Sequence, residues 1–142
     1  MFKRYVVDAS VAAKWYFQEE HSERADALLE QDGELLAPGL LVVEIAALAW
    51  KRARRGEISE AAADRIVAAL RQAPLEIRPT AELVTAALPL ALQGELTLYD
   101  AFYVALAVKS DCPLVTADPK LYEVLRGGHL ADHALWIGTL TP

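Results

Sequence analysis

The sequence is poor in cysteine and in long uninterrupted hydrophobic runs. Its single cysteine, Cys112, excludes an intramolecular disulfide framework and a cysteine-based zinc site. The most apolar stretch, residues 35–50, is interrupted by Pro38, Gly39 and Glu44, whereas a membrane span needs about 20 mostly apolar residues. We therefore expect a protein that is neither secreted nor membrane-bound and that resides in the reducing cytoplasm.

Positive charge and nucleotide-binding motifs are also scarce. Fourteen Lys and Arg residues against twenty Asp and Glu residues give a net charge of −6, which argues against holding nucleic acid by bulk positive charge. The chain has no Walker loop, no glycine-rich dinucleotide motif, no Gly-x-Ser-x-Gly and no His-Glu-x-x-His. The three histidines show no metal-ligand spacing, so we assign them no chemistry.

Apolar residues make up 54% of the 142 residues, enough for one folded domain spanning 1–142. Short apolar runs alternate with helical stretches, which predicts an α/β domain with a parallel sheet. The predicted strands are 5–7, 35–37, 75–77, 114–116 and 135–137. The predicted helices are 10–17, 22 to near 33, 40–55, 59–72, one capped by Thr80 and kinked or split at Pro89, 97–110 and 119–126.

Three acidic residues stand in unusual positions. Asp8 and Asp118 directly follow apolar strands, at the carboxyl ends where open α/β sheets place their sites; alternatively, each caps the following helix. Glu44 lies in a helix that is apolar on all sides. A buried carboxylate is normally paired, neutralised or metal-bound, although Glu44 could instead reach solvent or pair with Lys51 or Arg54.

A fourth acid, Asp100, opens the apolar helix 100–108, and its alternative role is a capping box with Thr97 at the helix start. If the four acids meet in one cleft, each pair about 5 Å apart repels by roughly 3 kcal/mol at an effective dielectric of about 20. A divalent cation or protonation must offset this repulsion. Because the candidate ligands are all carboxylates, Mg²⁺ or Mn²⁺ is favoured over Zn²⁺.

The order of these motifs resembles the PIN-domain nucleases. The motifs are Asp8-x-Ser10, a helical Glu44, Asp100 opening an apolar helix, and Thr116-x-Asp118 after a strand. The stretches 19–22 and 97–101 are similar to those of VapC-type toxins from bacterial toxin–antitoxin pairs. The resemblance spans nearly the whole chain and implies a Rossmann-like sheet with strand order 3-2-1-4-5. It also implies a metal-dependent endoribonuclease, usually a homodimer, held inactive by a small VapB-like antitoxin.

The resemblance also implies roles for individual residues. The acids that match the family's metal site are Asp8, Glu44, Asp100 and Asp118. We expect Asp8 and Asp100 to bind the ion directly, and the other two acids to hold a second ion or waters, with one of them orienting or deprotonating the attacking water. Ser10 and Thr116 match the supporting hydroxyl positions, although each could simply cap the next turn.

A basic cluster follows Glu44 on the same predicted helix and consists of Lys51, Arg52, Arg54 and Arg55. We hypothesise that this cluster grips the RNA backbone. The alternative is that these cations are solvated and stabilised by the helix dipole. The aromatic residues Tyr99, Phe102 and Tyr103 are predicted to lie in the core.

Three other functions compete with the toxin ribonuclease. A housekeeping RNA-processing nuclease would share the same chemistry. A non-catalytic PIN-like module that binds protein or RNA would show no saturable heat with divalent ions. A different Mg²⁺ enzyme on a similar sheet, such as a phosphatase, would turn over a small phosphate ester rather than RNA.

Overall fold

The protein, described by a computed structural model over residues 3–142, is a five-stranded sheet surrounded by helices. The strands are β1 Lys3–Val7, β2 Gly33–Pro38, β3 Leu75–Arg78, β4 Leu114–Thr116 and β5 Ala134–Trp136. The helices are α1 Ala9–Ala12, α2 Ser22–Glu30, α3 Leu40–Arg54, α4 Glu60–Gln72, α5 Val84–Gln93, α6 Leu98–Lys109 and α7 Pro119–Arg126. The strand order is β3-β2-β1-β4-β5 and every pairing is parallel, which confirms the predicted fold class.

The central strands form because their residues are apolar on both faces. Val6 and Val7 of β1 and Leu114 and Val115 of β4 are fully buried, as expected for a parallel sheet covered on both sides. Val6 pairs with Leu114 on one side, while β2 pairs on the other. The strand order therefore reverses at β1, and the carboxyl ends of β1 and β4 flank the switch point where such sheets bind ligands.

Helix α6 is the buried helix of the fold and fixes the position of Asp100. Residues 101–107 are buried without interruption, and the helix packs against β1, β2 and β4, with α5 against it. The Thr97 hydroxyl accepts a hydrogen bond from the Asp100 N–H at 3.1 Å, so Thr97 caps the helix as its spacing predicts. Asp100 is consequently held in the first turn.

The start of α3 is capped by a residue from elsewhere in the chain. Gly39 precedes the helix and offers no side chain, and the Leu40 N–H donates to the Thr80 hydroxyl at 2.7 Å. The prediction that Thr80 caps its own helix is therefore wrong. Residues 80–83 form a 3₁₀ turn, and α5 begins only at Val84.

Two further predictions about the first helices are wrong. The helix expected over 10–17 ends at Ala12 and continues as a 3₁₀ turn, where the Trp15 indole N–H donates to the Ala25 carbonyl at 2.8 Å. Ser22 does not cap α2, because its hydroxyl accepts from the Glu19 N–H at 2.9 Å in the preceding loop. The capping position is His21, with a left-handed φ of 67°. That helix ends at Glu30, before β2 begins.

The remaining boundaries agree with the sequence to within a few residues. Ser59 caps α4 by accepting from the Ala62 N–H at 3.0 Å. Gly56 follows α3 with φ +74°, a conformation that favours glycine at the end of a helix. Within residues 3–142, no helix combines the length and the apolar character that crossing a membrane requires.

Candidate active site

Asp8 lies at the carboxyl end of β1, and only 5% of its surface is exposed. Its Oδ1 accepts hydrogen bonds from the Ser10 hydroxyl at 2.5 Å and the Val11 N–H at 3.2 Å, and its Oδ2 accepts from the Thr116 hydroxyl at 2.6 Å. The bond from Val11 makes Asp8 the N-cap of α1, as the alternative interpretation predicted. The two hydroxyls additionally fix the plane of the carboxylate.

The two hydroxyls link the ends of β1 and β4. Ser10 Oγ accepts from the Ala117 N–H at 2.9 Å, and Thr116 Oγ1 accepts from the Asp118 N–H at 3.0 Å. Each hydroxyl therefore receives one hydrogen bond from the backbone after β4 and donates one to Asp8. The network ties Asp8, Ser10, Thr116 and Asp118 together, although β1 and β4 are more than a hundred residues apart in sequence.

Glu44 lies near the start of α3 and is partly buried. Its Oε1 accepts a hydrogen bond from the Tyr103 hydroxyl of α6 at 2.6 Å. Tyr103 is 2% exposed, so the carboxylate of Glu44 is held by a hydroxyl of a core residue. The alternative pairing of Glu44 with Lys51 or Arg54 is not observed among the ion pairs of residues 3–142.

Asp118 lies between β4 and α7 and is partly buried. Its Oδ1 accepts from the Lys120 N–H at 3.0 Å, so it caps α7. Asp100 is also partly buried. Its negative charge raises the pKa of Asp8 and of Glu44, and the charge of Asp118 raises the pKa of Asp100. Electrostatic interactions therefore connect Asp100 with each of the other three acids.

The ionised form of Asp8 is disfavoured in this site. Burial raises its pKa from 3.8 to about 6, outweighing the three hydrogen bonds that lower it, and the nearby charge of Asp100 adds to the rise. Burial is also the largest cause of the raised pKa of Glu44 and of Asp100. None of the four acids forms an ion pair within residues 3–142. The site consequently holds negative charge that a bound cation would stabilise.

The donor chemistry of the site fits a hard divalent cation, because every candidate ligand atom is a carboxylate oxygen. The ligand atoms are not gathered around one point, however. Across residues 3–142, no three Asp, Glu, His or Cys side chains are arranged closely enough to hold an ion. Both oxygens of Asp8 and one oxygen each of Glu44 and Asp118 are engaged in hydrogen bonds.

The basic cluster divides into two pairs. Arg52 lies 3.5 Å from Glu19 and 3.8 Å from Glu57, and Arg55 lies 4.0 Å from Glu57. Within the described chain, Lys51 and Arg54 form no ion pair, and both are exposed. Of the four residues of the basic cluster, Lys51 and Arg54 are therefore the two that can contact a phosphate without breaking an ion pair.

Two features of the site were missed by sequence reasoning. Tyr103 and Phe102 are buried as predicted, but the hydroxyl of Tyr103 binds Glu44; a tyrosine, rather than phenylalanine, in an apolar helix was the available signal. Tyr99 was predicted to lie in the core and is instead 62% exposed. It directly precedes Asp100 in the first turn of α6, before the buried residues of that helix begin.

The fold and this acidic edge define the class of the protein: a Rossmann-like α/β domain with a carboxylate site at the switch point of its sheet. The chain belongs to the PIN-domain family, whose family model matches residues 5–126.

Known relatives resemble the chain over most of its length. It is 40% identical over 122 residues to "Ribonuclease VapC3" of Pyrobaculum aerophilum, covering 84% of this chain and 93% of that protein. The crystal structure of PAE2754, also from P. aerophilum, superposes with a TM-score of 0.72 at 26% identity, covering 96% of this chain and 85% of that one. A toxin–antitoxin complex from Klebsiella pneumoniae shares the fold with a TM-score of 0.63 at 15% identity, covering 87% and 93% of the two chains.

Proposed function

We propose that the protein is a Mg²⁺- or Mn²⁺-dependent endoribonuclease that hydrolyses RNA phosphodiesters and acts as the toxin of a toxin–antitoxin pair. The observation that carries this proposal is the buried Asp8 carboxylate, which lies among other acids with no cationic side chain paired to it in residues 3–142. The 40% identity to a VapC ribonuclease supports RNA as the substrate.

We assign the metal ligands to the four acids. Asp8 and Asp100 are proposed to hold the ion directly, and Glu44 and Asp118 to hold a second ion or its waters. When bound, Mg²⁺ or Mn²⁺ supplies Lewis-acid stabilisation of the phosphodiester and lowers the pKa of a bound water. The raised pKa values of Asp8, Glu44 and Asp100 support this assignment, because burial is the largest cause of each rise and the charge of a neighbouring acid adds to it.

The other residues of the site position these carboxylates. Ser10 and Thr116 hold the plane of Asp8, and Tyr103 holds Oε1 of Glu44. Oε2 of Glu44 makes no hydrogen bond to a described residue, so it is available to accept a proton from the attacking water. Glu44 and Asp118 are the two candidates for this orienting or basic role.

Replacement of Asp8 tests the proposal most directly. We expect purified protein to cleave single-stranded RNA with Mn²⁺ or Mg²⁺ and to stop when a chelator is added. Asp8→Asn and Asp100→Asn should each lower the cleavage rate by at least about 100-fold. Asp26→Asn is a matched control, because Asp26 is an exposed acid on α2, and it should cleave at the wild-type rate.

Three outcomes would contradict the proposal. Full cleavage by Asp8→Asn would remove that residue from the site. The absence of saturable Mn²⁺ binding in calorimetry would favour a non-catalytic module. Turnover of a small phosphate ester without RNA cleavage would favour a phosphatase.

The proposed partners follow from the toxin assignment. A small VapB-like antitoxin is proposed to bind and inhibit the protein in the cytoplasm, where its RNA target is found. The structural similarity to a toxin–antitoxin complex supports this partner. A homodimer is proposed as the working assembly. Co-expression with a small neighbouring reading frame, followed by co-purification and loss of RNA cleavage, tests the antitoxin.

A further inference from the structure

An exposed tryptophan lies beside the two unpaired cations of α3. Trp50 is 61% exposed, and the guanidinium carbon of Arg54 lies 5.7 Å from the centre of its ring, within the range of a cation–π contact. Lys51 is the next residue along the helix. Exposed aromatic surface next to free positive charge is the combination that single-stranded nucleic acid binds, through its bases and its phosphates.

Trp50 also forms one wall of a cleft of about 500 Å³ between α3 and α4. Four alanines and a valine line most of the rest of the cleft, together with Arg54 and two acids of α4, Glu60 and Asp64. The small alanine side chains leave room for a flat group against the indole. The two acids stand on the α4 side, so they repel phosphate there and favour a backbone path along Lys51.

The cleft and Glu44 belong to the same helix but to different faces of it, because Trp50 lies six residues after Glu44, about 120° around α3. Lys51 lies seven residues after Glu44, which places the two side chains on the same face of the helix. The axial separation is about 10 Å at 1.5 Å per residue. Arg54 continues the same direction by one more turn. An RNA strand that leaves the acids therefore passes Lys51 and turns around α3, past Arg54, to reach Trp50.

We propose that Trp50, Lys51 and Arg54 form a subsite for an unpaired nucleotide of the RNA substrate, next to the cleavage site. The base stacks on the indole of Trp50, and the adjoining phosphates contact Lys51 and Arg54. Stacking requires a base that is not held in a duplex, so the substrate class is single-stranded or looped RNA. This inference rests on the proposed ribonuclease function and names the segment of substrate that the enzyme holds.

Binding to the wild-type chain and its Trp50 variants, measured in chelator to prevent cleavage, tests the stacking. We expect Trp50→Ala to weaken binding of a single-stranded oligoribonucleotide roughly 5- to 150-fold, the range that stacking of one base confers. Trp50→Phe should retain most of the affinity. An oligonucleotide whose bases are replaced by abasic sites should bind wild type and Trp50→Ala equally. Circular dichroism checks that both variants fold.

The cations are tested by the dependence of RNA binding on salt. Arg54→Gln should reduce the slope of log affinity against log salt by about 0.7, the value for one phosphate contact on a single strand. Lys109→Gln is the matched control, because it removes an exposed charge at the far end of α6. The control should leave the slope unchanged.

Two results would overturn the subsite while leaving the ribonuclease intact. One is wild-type kcat/KM and RNA affinity in Trp50→Ala. The other is unchanged RNA binding in Trp50→Ala together with loss of self-association in sedimentation, which would make this surface a protein interface. Wild-type protein that neither binds nor cleaves RNA would instead overturn the ribonuclease, and the subsite with it.

Discussion

Asp8 illustrates how burial can outweigh local hydrogen bonding at a single residue. Three donors from Ser10, Thr116 and Val11 stabilise its ionised form, yet its pKa rises to about 6. The hydrogen bonds fix the orientation of the carboxylate without supplying positive charge. The folded protein without metal therefore holds an unfavourable charge at neutral pH, which a bound cation would relieve.

This imbalance predicts that Asp8→Asn changes how stability depends on pH. The pKa of Asp8 is about 6 in the folded state, higher than the usual value of 3.8 for an aspartate, so the folded state binds more protons between these two pH values. The contribution of Asp8 to the free energy of unfolding is therefore fully present below about pH 4 and is lost as the pH rises through 6. In chelator, the stability of Asp8→Asn relative to wild type should increase over this window by an amount on the order of 3 kcal/mol.

The measurement is urea unfolding of both proteins at several pH values between 4 and 8. The difference between the two proteins isolates Asp8 from other titrating groups. Added Mn²⁺ should stabilise wild type above pH 6 more than it stabilises Asp8→Asn. A difference in unfolding free energy that does not vary with pH would contradict the raised pKa.

Tyr103 is predicted to act through Glu44 as a positioning residue. Tyr103→Phe removes the 2.6 Å hydrogen bond to Glu44 Oε1 and retains the buried ring. Loss of a partner that orients a metal ligand typically weakens metal binding 10- to 100-fold. We therefore expect Mn²⁺ affinity, measured by calorimetry, to fall by roughly this factor, with a stability loss of about 1 kcal/mol.

Tyr122→Phe provides the control for that experiment. Tyr122 packs against Trp136, and the hydrogen bond that Glu44 accepts comes from Tyr103 and not from Tyr122. Its replacement should leave Mn²⁺ affinity unchanged. Equal affinities in wild type and Tyr103→Phe would mean that Glu44 needs no such support or does not bind the metal.

At the scale of the elements, α3 depends on a distant residue for its first turn. The Thr80 hydroxyl accepts from the Leu40 N–H at 2.7 Å, and α3 carries Glu44 four residues later. Thr80→Val leaves that N–H without its acceptor and should lower the free energy of unfolding by about 1 kcal/mol. Thr85→Val, an exposed position on α5, is the control and should differ from wild type by much less in urea unfolding.

The caps show which parts of the fold the sequence could predict. Ser59, Thr97 and Asp118 each cap a helix through an N–H two or three residues ahead, so local spacing was sufficient. Thr80 acts on a residue 40 positions away, and no local pattern marks that contact. Ser22 was mistaken for a cap because its hydroxyl points back to the Glu19 N–H instead of into α2.

The same distinction applies to the candidate site. Asp8 and Asp118 could be singled out because parallel strands end at a common edge. The link from Tyr103 to Glu44 spans 59 positions, and Tyr99 is exposed although it lies in the same apolar helix. Both required the packed structure. The expectation that acids far apart in sequence come together rested on the order of the motifs, which resembles that of a known family. Periodicity alone did not predict it.

At the scale of the whole molecule, a net charge of −6 opposes the approach of RNA. The acids of the site add to this repulsion unless a cation is bound. Two of the four cations of the basic cluster are already engaged with Glu19 and Glu57. Under the proposed ribonuclease function, RNA binding therefore relies on few phosphate contacts, and the measured RNA affinity of the wild type should vary only moderately with salt.

The face of α5 that points away from α6 bears on the proposed homodimer. Val84, Leu88 and Leu92 recur every four residues, and all three are exposed, Leu92 by 77%. A continuous aliphatic stripe of this kind on a helix commonly marks a protein interface.

We expect Leu92→Glu to shift the protein from dimer to monomer in sedimentation velocity, because it places a charge in the centre of an apolar contact. Ala86→Glu adds the same charge to the same helix at an exposed position on the side opposite the stripe, and this variant should remain dimeric. Dimers that persist in Leu92→Glu would place the interface elsewhere.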